Sequence, residues 1–73
     1  MSLPDLSETE ASVLRAVRSE ERVDIYNLAH DLGEGPRTVQ AAIQRLAEDD
    51  LVHVSGRQVR CTKTGDQWVR RHR

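Results

Sequence analysis

Apolar residues return every three or four positions as far as Leu46, and every second position after Asp50. In "LSETEASVLRAVRS", Val13, Leu14 and Val17 form one inward stripe. Ser7 and Glu10 stand at capping-box spacing before it, and Leu6 is placed as a hydrophobic staple. This predicts a first helix. "ERVD" is a short link in which Val23 suits a minimal strand and Asp24 can cap a second helix. The apolar positions of that helix, Ile25, Leu28, Ala29 and Leu32, recur at i, i+3, i+4 and i+7. Gly33 ends it in the left-handed conformation that glycine accepts without strain.

A third helix follows over residues 36–49. Gly35 serves as its N-cap, and Pro36 at the first helical position gives up no hydrogen bond, since that N–H would be unpaired in any case. Val39, Ala42, Ile43 and Leu46 share its inner face. Arg37, Gln40, Ala41, Gln44 and Glu48 project outward, with Thr38 and Arg45 at the flank. In "LVHVSGRQVRC" the period is two. Val52, Val54, Val59 and Cys61 are expected inward, His53 and Arg60 outward, and the chain turns near Gly56 and Arg57. Thr62 or Thr64 can cap a last helix carrying Trp68 and Val69, where Gly65 allows close approach to a neighbouring helix.

Two helices joined by a tight glycine-bearing turn and followed by a hairpin predict an α+β, mainly α fold. This is a winged helix-turn-helix: a three-helix core, a short two-stranded wing and a C-terminal helix, occupying residues 1–73 as a single domain. "LAHDLGEGPRTVQAAIQRLAEDDLV" resembles the helix-turn-helix of bacterial winged-helix regulators of the GntR and MarR type. "VRCTKTGDQWVRR" is similar to the segment that follows the wing in MarR-like domains. The resemblance implies sequence-specific binding of double-stranded DNA in transcriptional regulation, with helix 36–49 in the major groove and the wing around Gly56 and Arg57 on the backbone or in the minor groove. Three positions depart from the pattern: Glu34 where a small apolar turn residue is usual, Gly35 in place of a hydroxyl cap, and Asp50 in place of a glycine before the wing. Aspartate tolerates the left-handed conformation better than most residues, so the third is compatible with the fold.

Charge sharpens this picture. The chain has 73 residues and a formal net charge of −1, but the charges are sorted. Up to Gly35 the acids Asp5, Glu8, Glu10, Glu20, Glu21, Asp24, Asp31 and Glu34 outnumber Arg15, Arg18 and Arg22. From Pro36 on, Arg37, Arg45, Arg57, Arg60, Lys63, Arg70, Arg71 and Arg73 outnumber Glu48, Asp49, Asp50 and Asp66. The basic half is the candidate binding half. The lone Cys61 excludes an internal disulfide and reads as a small core residue. With no apolar run long enough to span a membrane and a polar, acidic start, a cytoplasmic location is expected.

Within that frame the outer face of the third helix has specific chemistry. Arg37 can pair bidentately with guanine or hold a phosphate, and Gln40 and Gln44 can each make paired hydrogen bonds to adenine. Ala41 lets the helix approach the bases, and Thr38 with the helix N-terminus suits a phosphate. Arg45 lies at the flank, and Arg57 and Arg60 are the wing's candidates. Tyr26 either packs at the core rim or bonds a phosphate. The alternative for the outer face is that of an ordinary solvated helix, and the alternative function, fed by the acidic first half, the near-neutral total and Glu34, is a winged helix used for protein–protein contact without DNA binding. His30, His53 and His72 lie on three elements without metal-ligand spacing, and no acid sits in an apolar pocket, so neither a metal, a cofactor nor an enzyme is expected. A homodimer through the first and last helices is expected, because one winged helix neutralises few phosphates. No small-molecule effector is expected in so short a chain.

Overall fold

The computed structural model describes residues 5–20 and 22–72. Glu21 and Arg73, included in the charge halves above, lie outside the described residues. The elements run α1 (Glu8–Ser19), β1 (Val23–Asp24), α2 (Ile25–Leu32), α3 (Pro36–Glu48), β2 (Val52–Ser55), β3 (Gln58–Cys61) and α4 (Lys63–Arg71). The strands form an antiparallel sheet in the order β1-β3-β2, so the hairpin's second strand is central.

The local signals act where the sequence places them. Ser7 and Glu10 make the reciprocal capping box, with Ser7 N–H donating to Glu10 Oε1 at 2.9 Å and Glu10 N–H to Ser7 Oγ at 3.1 Å. Asp24 accepts the N–H groups of Tyr26 and Asn27 and so closes the start of α2. Gly33 takes φ 68°. Its N–H bonds the His30 carbonyl at 3.2 Å while Glu34 N–H bonds Ala29 at 3.0 Å, a Schellman closure. Of the two candidate caps for α4, Thr62 serves: its Oγ1 accepts Gly65 N–H at 3.0 Å and donates to the Asp50 carbonyl at 2.6 Å. Asp50 occupies the left-handed region at φ 62°.

The core is one cluster to which every helix contributes. Val13, Leu14, Val17, Val39, Leu46 and Leu51 are fully buried, and Trp68 and Val69 of α4 are buried with them. No charged or polar residue is buried among the described residues. Val52 and Val59 turn inward as the alternation predicts, and Cys61 is half-buried against the cluster. Val54 does not follow: it remains 36% exposed. It lies on the edge strand β2, two pairs nearer the turn than Val52; its partner Val59 stands on the central strand, flanked by β1 on the other side, and is buried.

Gly65 permits a close approach, but not to a helix. A Cβ there would collide with the backbone carbonyl of Leu51 and come within 2.8 Å of Cys61 Sγ. The first turn of α4 is thus pressed onto the chain between α3 and β2, where the same Leu51 carbonyl accepts Thr62 N–H at 3.1 Å. Along α4, Arg18 Nε meets Asp66 at 2.6 Å and Arg15 donates to the His72 carbonyl at 3.0 Å, so α1 and α4 are tied to each other. Their apolar faces are used in the core. Among the described residues, the exposed large hydrophobic residues are Tyr26 and Val54, neither on α1 or α4. The dimer expected through these two helices therefore receives no apolar face from them.

Candidate nucleic-acid interface

α2 and α3 are separated by Gly33, Glu34 and Gly35, and α3 begins without a side-chain cap. Its first N–H groups therefore remain open at an exposed helix start, beside Arg37 and Thr38. The inner face is closed by Val39, Ala42, Ile43 and Leu46. That fixes the rotation of the helix and turns Arg37, Gln40, Ala41, Gln44 and Glu48 to the outside, all exposed. Arg37, Gln40 and Gln44 make no side-chain hydrogen bond or ion pair with another described residue. Arg45 is committed differently: its Nε lies 3.1 Å from Asp49 one turn on, and that hydrogen bond pushes the guanidinium pKa further up.

The wing is short, as its sequence implies. Gly56, at φ 62°, makes the first position of a two-residue turn, and the strands on either side carry four residues each. Instead of projecting, the tip docks on α2. Ile25 N–H donates to the Arg57 carbonyl at 2.9 Å, Asp24 pairs with Gln58 across the sheet, and Arg57 Nη2 lies 3.3 Å from Asp24. The Arg57 guanidinium sits 4.8 Å from the centre of the Tyr26 ring. Tyr26 is 46% exposed, so it takes neither a core-rim position nor an isolated one; it is the platform for Arg57. Burial pushes the Asp24 carboxyl up, but the Tyr26 and Asn27 N–H groups together with Arg57 outweigh it and hold the group below the ordinary carboxylate value.

The nine candidate residues thus fall into three places. Arg37, Thr38, Gln40, Ala41, Gln44 and Arg45 share α3. Tyr26 and Arg57, far apart in sequence, come together at the start of α2. Arg60 stands apart on the outer face of the sheet, opposite His53. Arg22 lies beside it and was not singled out by sequence reading. The alternation marks His53 and Arg60 as outward, but only the strand register brings Arg22 to them.

A helix pair with a tight turn, a third helix before it and a hairpin closing a three-stranded sheet define a winged-helix-like α+β fold of the kind found in regulator domains. No family model and no curated protein matches the chain. Among solved structures it is similar to BpsR of Bordetella bronchiseptica, with a TM-score of 0.85 and 27% sequence identity over 94% of this chain. The chain spans 55% of the length of that protein, whose structure concerns the regulation of BpsR DNA binding by 6-hydroxynicotinic acid. No helix among the described residues is long and apolar enough to cross a membrane.

Proposed function

We propose that this chain is a duplex DNA-binding domain of a transcription regulator of the GntR/MarR kind, with α3 in the major groove. The observation that carries this is the outward row Arg37, Gln40, Ala41 and Gln44: exposed, with its polar members unengaged, on a fold similar to that of a DNA-binding regulator. Gln40 and Gln44 read base edges, Arg37 reads guanine or holds a phosphate, and Ala41 leaves room for the approach. Thr38 and the open start of α3 take a phosphate, as do Arg45 at the flank and Tyr26 with Arg57 at the start of α2. Arg60 adds positive potential from the wing. The chain acts by binding and not by catalysis, and two copies on half-sites about one helical turn apart supply specific affinity.

A second reading, contact with another protein, is favoured by one observation: two of the cations meant for DNA are already paired, Arg45 with Asp49 and Arg57 with Asp24. Exposed Glu34 and Glu48 bracket α3 and interrupt the positive strip further.

Titration of a labelled duplex across a salt series separates the two. DNA binding through phosphates gives log affinity falling linearly with log salt, by about 0.9 per phosphate contacted, and Arg37→Ala lowers that slope by about 1 if Arg37 holds a phosphate. No measurable binding at low salt would leave the protein-contact reading.

A further inference from the structure

The outer face of the sheet carries two neighbouring arginines that have no carboxylate partner among the described residues. Val52 and Val59 face the core, so the residues alternating with them point away from α1 and α3. His53 stands opposite Arg60 on neighbouring strands. Because Val23 pairs with Val59, Arg22, the residue before it, enters the same row from the other side. Arg22, Arg60 and His53 are thus aligned across strands about 4.8 Å apart. With Ser55, Gln58 and Val59 they line a shallow open depression of about 470 Å³.

Like charges placed side by side on neighbouring strands disfavour the folded state. Arg18, Arg45, Arg57 and Arg70 each have a carboxylate partner, whereas Arg15, Arg37 and Arg71 have none among the described residues, Arg15 donating to the His72 carbonyl instead. Arg22 and Arg60 likewise have none, and these two stand side by side with no acid among the described residues that line the depression. Asp24, whose backbone pairs with Gln58 in the next row, is engaged by the α2 amides and by Arg57.

We propose that this depression binds a free oxyanion, the carboxylate or phosphate group of a small molecule, between Arg22 and Arg60. Two guanidinium forks match such a group bidentately, with the Ser55 hydroxyl, the Gln58 amide and the His53 ring as orienting donors. The volume is in the range of about 300–1,000 Å³ usual for small-ligand sites. The sheet's inner face packs on α1 and α3, and no residue of the row proposed to read DNA lines the depression; the occupant is a small molecule rather than that duplex. No separate effector domain is needed, which reverses the expectation drawn from chain length. α3 contributes no residue to the site, and of the residues proposed for DNA only Arg60 is shared, so Arg22→Ala is the variant that separates the two readings.

Inorganic phosphate is titrated into the full chain at constant ionic strength against chloride, with backbone amide shifts as the readout. The expected result is saturable movement at His53, Ser55, Gln58 and Arg60 with α3 unmoved, and about tenfold weaker binding in both Arg22→Ala and Arg60→Ala. Both side chains are exposed and removing either relieves the repulsion between them, so neither variant should melt below the natural chain, which keeps loss of binding distinct from loss of fold. Non-saturating shifts, shifts equal to those with chloride, or unaltered affinity in both variants would overturn the proposal. So would saturation of α3 and the sheet with one common affinity together with equal loss of duplex binding in both variants, since DNA phosphate would then be the occupant.

Discussion

At the scale of single residues, Gly65 shows how a position can be fixed by a neighbour that sequence does not name. Glycine in a helix is ordinarily a small cost, yet here a methyl group would strike the Leu51 carbonyl, a backbone atom that cannot rotate away. Gly65→Ala is expected to destabilise by about 1–3 kcal/mol, against the usual helix gain of up to about 1 kcal/mol for that change. Chemical denaturation checks the sign; a stabilised variant would mean that α4 does not press on Leu51. Arg57 is the second instance. Its ion pair with Asp24 and its place over Tyr26 are both exposed, so Arg57→Ala should cost under about 1 kcal/mol of stability while weakening all duplexes alike. A variant that changes sequence preference would show that Arg57 reads bases instead.

At the scale of elements, α4 is held by its core face and by charge. Trp68 is 4% exposed and stacks on His72 with ring centres 4.1 Å apart. Trp68→Ala is expected to cost about 3–5 kcal/mol, a large part of what a domain this small possesses. The melting loss should be the same at all protein concentrations, because the indole faces the protein's own core; a concentration-dependent loss would make it a contact between copies. The Arg18 hydrogen bond, helped by Arg70 and opposed by desolvation, holds Asp66 below the ordinary carboxylate value. A lowered folded pKa gives stability that is whole above the unfolded value, about 3.9, and is lost as pH falls below it. Asp66→Asn should therefore flatten part of the stability loss below about pH 4 and leave the trend above about pH 5 unaltered. An identical acid profile in the variant would remove the α1–α4 tie from the account.

At the scale of the whole molecule, what was legible in the sequence was what local chemistry decides. Ser7, Asp24, Gly33 and Thr62 act within a few residues of themselves, and the caps and boundaries they set agree with the structure to within a residue or so, α3 ending at Glu48 with Asp49 as its cap. Winged-helix order followed from the change of period. What depended on register and packing was not legible. Val54 alternates correctly but stands on an edge strand and stays exposed, Arg57 folds back on Tyr26, and α1 and α4 are tied to each other through Arg18 and Asp66. The candidate site was legible on α3, where helical period alone sorts inward from outward. It was not legible on the sheet, where Arg22 joins Arg60 only through β1.

The most direct measurement is selection from a pool of random duplexes by the natural chain and by Gln44→Ala, with the bound sequences compared. If the outward row of α3 reads the major groove, the natural chain enriches a defined sequence, and the variant loses preference at one base pair by about 1–3 kcal/mol while keeping the rest. No enriched sequence from the natural chain, or the same sequence with the same preferences from both, would contradict the placement of α3 as the reading element.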